Sequence, residues 1–354
     1  MIGIQNRKDG TNEMANQETE ILDDVITSSR RKMLALGIGS LAGLAAGVFA
    51  STAEAASYTD ADILNFALNL EYLEANFYYL AAFGTTIDVS NPASTLAGAP
   101  KITLSGTVGT AGTVSGGSKV PFTTIPVASY AIETAVEEGK HVQLLLSALG
   151  SAAVAQPMIN LGTSFPALAT AAGIPNGSSF SPYANDDDFL VGAYVFEDVG
   201  VTAYHGAASL LTVPANLATA AGILAVEAYH AGLIRTTINY LDPTGTSIAS
   251  YTNLISTLRA SLSQAGLLGV APGPYDTNPD DFGLATFSVS LSSNVTATRL
   301  TDADQTNEIA FARNTTQVLN IVTGGGAVNN GRAVSPAVGV FFPAGMNAGP
   351  NGFK

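Results

Sequence analysis

The chain contains no cysteine, only three histidines and, beyond Ala55, only eight glutamates. Without cysteine there are no disulfides, no thiolate nucleophiles and no thiolate metal ligands, so carboxylate and imidazole are the metal donors left. Basic residues are scarce as well: residues 56–354 hold 21 acidic against 9 basic side chains, a formal charge of −12. That imbalance argues against nucleic acid and anionic membrane surfaces as partners. Apolar residues make up 47% of the chain, enough to bury the core of one large domain or of a domain with an appendage.

The eight glutamates lie at 71, 74, 133, 137, 138, 197, 227 and 308. Seven of them fall within four stretches of helical period, 63–83, 129–149, 188–211 and 214–241. Around Glu71 and Glu227 there is little else that is charged. A carboxylate in so apolar a setting needs a partner, and a metal ion is one.

Two tetrapeptides, Glu138-Gly139-Lys140-His141 and Glu227-Ala228-Tyr229-His230, share the spacing Glu-x-x-His. Residues i and i+3 lie on one face of a helix, so each motif can present a carboxylate and an imidazole to the same ion. Glu71 and Glu197 on the other two helices complete the order Glu, Glu-x-x-His, Glu, Glu-x-x-His. That is the ligand inventory of a dinuclear carboxylate site inside a four-helix bundle. A pair of buried, hydrogen-bonded side chains would explain either motif alone; two motifs and two single glutamates in this order favour metal. Oxygen-rich donors favour iron or manganese over a structural zinc.

The remaining candidates are placed by the same geometry. Glu74, one turn beyond Glu71 on nearly the same face, reads as an extra ligand, a solvated residue or, as the favoured reading, a hydrogen-bond acceptor beside the ligands. His205 follows Glu197 by about 12 Å along a helix axis, too far to share its ion, and reads as a hydrogen-bonded core residue. Glu133 and Glu137 read as solvent-facing charges near a helix start.

Residues 1–55 read as an address. Ser29-Arg30-Arg31-Lys32-Met33-Leu34 precedes an apolar run over 34–49, and Ala53-Glu54-Ala55 offers a cleavage site. The pattern predicts a twin-arginine signal cut after Ala55, with a periplasmic or secreted product and no membrane association after cleavage. A transmembrane anchor is the competing reading, and the run is shorter than the roughly 20 residues a span needs. Residues 56–245 are expected to form the bundle, with Asp60 or Asp62 capping the first helix, Gly150 stopping the second, Asp186, Asp187 and Asp188 opening the third and Pro214 starting the fourth. The insertion 85–127, alternating over 101–106, suggests a β-hairpin, and the Pro/Gly/Ser/Asn-rich stretch 156–185 suggests one long crossover. Residues 246–354 read as a C-terminal extension with helices over 247–265 and 304–322, a β-like segment over 284–291 and an irregular glycine-rich tail.

Leu64, Asn65, Glu71, Asn76 and Tyr78 resemble the first bundle helix of bacterial ferritins, in which the glutamate ligand is followed seven residues later by a tyrosine. Together with the Glu-x-x-His pairs, they make the chain similar to the ferritin-like superfamily, and most of all to its desiccation-related branch in bacteria and plants. The segment 311–320 and the late stretch 339–352 resemble the C-terminal signature of that branch. The resemblance implies a mainly α fold, a ferritin-like four-helix bundle with additional C-terminal helices. It implies Glu71 and Glu197 as single-helix ligands, Glu138 and Glu227 as bridging carboxylates, His141 and His230 as imidazole ligands, and Tyr78 hydrogen-bonded near the site. The function implied is an exported protein holding two iron or manganese ions that react with dioxygen or peroxide, as a ferroxidase, a peroxidase or a manganese catalase, in stress protection. The competing reading is a non-catalytic structural or desiccation-protective envelope protein; an iron-storage cage fits less well, because the insertion and the C-terminal third would need a place in it. The metal, the reaction and the oligomeric state, homo-oligomers included, are left open at this level.

Overall fold

Thr59 opens the first bundle helix, α1 (Asp60–Phe83): its hydroxyl accepts from the Asp62 N–H while the Asp62 carboxylate accepts from the Thr59 N–H. This corrects the expected cap, since Asp62 is the third helical residue. Asp60 instead accepts from the Thr212 and Val213 N–H groups, at the start of another helix. The computed structural model describes residues 58–89, 101–106, 108–266, 279–290, 294–325, 328–329, 332–333 and 340–348. Residues 1–55, read from the sequence as an export signal, and much of the glycine-rich tail lie outside the described residues.

The insertion does not form the expected hairpin among its described residues. Its strand β1 (Val114–Ser115) runs parallel to β2 (Ile159–Asn160) of the crossover, and Val108 bridges to Val154. The cause lies in α1. Asn65 accepts from Val154 N–H and donates to the Ala152 carbonyl, Tyr72 donates to the Val154 carbonyl, and Asn76 donates to Gln156. These side chains hold the crossover extended against the helix, leaving its other edge to pair with the insertion. Ile102, from the alternating stretch, is buried in the core.

Helix α2 (Ile125–Leu149) begins earlier than the expected 129, with Pro126 in its first turn, and stops at Gly150. The crossover that follows carries a short helix, α3 (Ser164–Ala172), in a stretch read as irregular. Helix α4 (Asp186–Ala208) is capped by Asn185, whose side chain accepts from the Asp188 N–H, with three aspartates in its first turn. Helix α5 (Pro214–Leu241) starts on its proline as expected. α1 packs chiefly against α2, and α4 against α5. By length and composition α5 is apolar enough to cross a membrane, yet its two charged residues, Glu227 and Arg235, are both buried inside the protein.

In the C-terminal third, α6 (Ile248–Gly266) matches expectation, and β3 (Thr286–Ser290) forms an antiparallel hairpin with β4 (Asn294–Thr298). The helix expected over 304–322 is corrected to α7 (Thr315–Val322). Asp304 accepts from the Thr306 and Asn307 N–H groups, closing a turn, and Glu308 takes φ 55° before Ala310 bridges back to Ala303. Asn314 and Gln317 then cap α7 reciprocally. A short pair, β5 (Val328–Asn329) and β6 (Arg332–Ala333), completes the described elements. The fold is mainly α, with seven helices among the described residues.

Buried ion pairs join this third to the bundle. Asp198 on α4 meets Arg235 of α5 at 2.9 Å and Arg259 of α6 at 3.0 Å. Arg259 and Arg313 both reach Asp281, at 2.8 Å and 2.9 Å, and Arg313 also reaches Asp280 at 3.1 Å. Phe341, from the tail, is buried against Phe165 and Phe196. The segment after Glu197 is thus held by residues far away in the chain.

Candidate metal centre

The helical spacing turns Glu71 on α1, Glu138 and His141 on α2, Glu197 on α4, and Glu227 and His230 on α5 onto one buried point. Two groups of donor atoms form, Glu71, Glu138, His141 and Glu227 in one and Glu138, Glu197, Glu227 and His230 in the other, with the atoms of each group within 4.8 Å of one another. His141 Nδ1 lies 3.3 Å from Glu71 and 3.4 Å from Glu138. His230 Nδ1 lies 3.0 Å from Glu138 and 3.3 Å from Glu197. The two rings are 6.4 Å apart between centroids. Glu138 and Glu227 belong to both groups.

Hydrogen bonding divides the carboxylates into two kinds. Glu71 gives one oxygen to the Tyr204 hydroxyl, and Glu197 gives one to the Tyr78 hydroxyl. Their second oxygens, both oxygens of Glu138 and Glu227, and Nδ1 of both histidines are buried without a hydrogen bond. Buried polar atoms are ordinarily paired, and eight such atoms around one point make a donor set for cations. All are oxygen or imidazole nitrogen, a set that suits iron or manganese. Among the described residues Asp198, Asp281 and Asp302 also converge, but Arg235 and Arg259 already supply positive charge there.

The electrostatics describe the same crowding. Burial raises Glu71 to about 7, with His141 opposing and Glu138 adding. Glu227 and Glu74 stand well above the usual carboxylate range, first through burial and then through the surrounding glutamates. Burial would lower His141, but Glu71 and Glu138 push it up to about 12; His230 is raised likewise against burial by Glu197, Glu137 and Glu138. Burial alone would raise Glu138, yet the two histidines bring it below the ordinary range. Several carboxylates in a dry space cannot all ionise unless positive charge joins them.

Among the other expected residues, Tyr78 bonds a site glutamate from a ring backed by Phe77 and Phe189. Glu74 is buried outside both donor groups, makes no hydrogen bond among the described residues, and lines a cavity of about 20 Å³ with Leu70, Leu73, Val195 and Val199. His205 does not reach the centre; half-buried rather than in the core, it bonds the Ala310 carbonyl at 2.9 Å. Glu133 is exposed. Glu137 corrects its solvent-facing reading: in the middle of α2, it accepts from His230 Nε2 of α5 at 2.8 Å. Tyr204 was missed, although it follows Glu197 at the same interval at which Tyr78 follows Glu71.

A helical bundle that converges two Glu-x-x-His motifs and two single glutamates defines a class, the carboxylate-rich bundle sites. The ferritin-like domain family matches residues 59–240, and the chain belongs to that family. The chain is 33% identical over 216 residues to the desiccation-related protein PCC13-62 of Craterostigma plantagineum. It is 27% identical over 215 residues to the ferritin-like catalase Nec2 of Nesocodon mauritianus. Each match covers 59% of this chain and 64% of the relative. No solved structure gives a significant match.

Proposed function

We propose that the chain binds two iron or manganese ions between α1, α2, α4 and α5 and uses them for redox chemistry on peroxide or dioxygen, as an exported protein of stress protection. The observation that carries this reading is the pattern of free oxygens: both on Glu138 and Glu227, one each on Glu71 and Glu197. Carboxylates with two free oxygens can bridge; those with one oxygen held by a tyrosine can bind a single ion from a fixed direction. Held by these residues, such a pair would supply redox chemistry toward an O–O bond. Tyr78 and Tyr204 would hold the single-ion glutamates, Phe77 and Phe189 pack around Tyr78, and Glu74 is a buried carboxyl outside both donor groups, raised first by burial. The relative named a catalase supports peroxide as the substrate, and the relative named desiccation-related supports the stress setting.

Metal-free protein loaded separately with manganese and iron decides among the reactions. Oxygen release from hydrogen peroxide marks a catalase, peroxide consumption that needs an added reductant marks a peroxidase, and ferrous oxidation by dioxygen marks a ferroxidase. A loaded protein with none of the three contradicts the redox reading. A second reading, a protective structural protein, draws on the Arg235, Arg259 and Arg313 network, which holds the C-terminal third independently of the centre. Protein purified metal-free from its native compartment with undiminished stability would favour it.

A further inference from the structure

The centre has an approximate internal two-fold in sequence. Glu71 and Tyr78 on α1 repeat as Glu197 and Tyr204 on α4, and Glu138 with His141 on α2 repeats as Glu227 with His230 on α5. The match breaks at Glu74 and at Glu137. The counterpart of Glu74 is Gly200, and the counterpart of Glu137 is Val226.

The second break touches a ligand candidate. Glu137 accepts from His230 Nε2, while Nδ1 of the same ring faces Glu138 and Glu197. An imidazole that donates one N–H to a carboxylate is locked in tautomer and orientation, and its other nitrogen becomes a better donor to a cation. His141 has no equivalent: among the described residues its Nε2 makes no hydrogen bond, and its Nδ1 faces Glu71, Glu138 and Glu227. Otherwise the halves offer the same set, a glutamate held by a tyrosine, two shared carboxylates and one imidazole.

The geometry points to two unequal metal positions: a tight one formed by Glu138, Glu197, Glu227 and His230, which fills first, and an exchangeable one at His141, with Glu137 as the residue that positions His230. This rests on the reading that the centre holds two ions. Repulsion weakens a second cation in any paired site, so inequality alone decides nothing; its dependence on particular residues does.

The test is a titration of metal-free protein with Co²⁺, read by visible absorption against a competing chelator. Glu137→Ala is expected to weaken the first step by about 10- to 100-fold and leave the second in place. Glu137→Gln, which still accepts from Nε2, is expected between wild type and Glu137→Ala. His230→Ala should abolish the first step, and His141→Ala should preserve it. With one equivalent of Co²⁺, a slowly exchanging, hyperfine-shifted imidazole N–H resonance should appear in wild type and vanish in Glu137→Ala. If His141→Ala weakens the first step as much as His230→Ala does, or Glu137→Ala leaves it unchanged, the inference is overturned while the two-ion reading stands. Wild type that takes up no cobalt overturns the two-ion reading itself.

Discussion

Gly200 shows how closely the centre is built against the backbone of α4. A Cβ at this position would stand 2.3 Å from Glu227 Oε2. The obstructed atom is the end of a side chain, so it swings aside at little cost to the fold, but a shared carboxylate leaves its place. Gly200→Ala is therefore expected to keep the melting temperature of metal-free protein near wild type while bound metal falls steeply. Thermal melting and elemental analysis of one preparation check both halves. The pH dependence is set by residues as well. In metal-free protein Glu71 stands at about 7 instead of the usual 4.5, and Glu227 and Glu74 are displaced in the same direction. Groups raised by folding stabilise fully below their unfolded values, and that contribution is lost as pH rises through the folded ones. His141 has the same sign, while Glu138, displaced downward, titrates below this window. The gap in melting temperature between metal-loaded and metal-free protein should widen from about pH 5 to about pH 8. A constant gap would mean that the carboxylates do not crowd one another. The Glu-x-x-His pairs were legible because i and i+3 share a face, and Tyr204 was recoverable from a repeated interval. Glu137 was not, since its partner lies 93 positions away on another helix.

At the scale of elements, the bundle helices follow from their apolar period and from local stops such as Gly150 and Pro214. The misreadings came where distant partners decide. Residues 101–106 alternate like a hairpin, but the crossover fixed by Asn65, Tyr72 and Asn76 offers the insertion another edge. Residues 304–310 carry a helical period, yet Asp304 captures the N–H groups a first helical turn would leave free. The join between α4 and the segment before α7 is equally close. The Arg313 N–H donates to the Thr202 carbonyl at 3.0 Å, and a Cβ on Gly206 would stand 1.9 Å from the Arg313 carbonyl oxygen. Here the obstacle is backbone, which cannot swing away. Gly206→Ala is expected to cost about 1–3 kcal/mol in denaturant unfolding, against a near-neutral Gly200→Ala. Equal effects at the two glycines would contradict the docking described for this segment.

For the molecule as a whole, the four helices that carry the candidate ligands span most of the matched family region, and the C-terminal third clamps α4 and α5 through Asp198 and Arg235. That clamp was not legible, because Asp280, Asp281 and Arg313 lie in loops whose partners no local pattern names. Export belongs to this scale too. If Arg30 and Arg31 are read by a twin-arginine receptor, replacing both with lysine should leave uncleaved precursor in the cytoplasm, as fractionation and blotting would show; unimpaired export would contradict the signal reading.

The central claim is that this bundle holds a pair of metal ions on Glu71, Glu138, His141, Glu197, Glu227 and His230. It is tested most directly by counting bound iron and manganese per chain, by elemental analysis, in wild type and in three histidine variants. The account predicts about two ions in wild type, a clear fall in His141→Ala and in His230→Ala, and no change in His205→Ala, whose ring bonds the Ala310 carbonyl instead. Equal loss from all three variants, or wild type that binds no metal after loading, would contradict it.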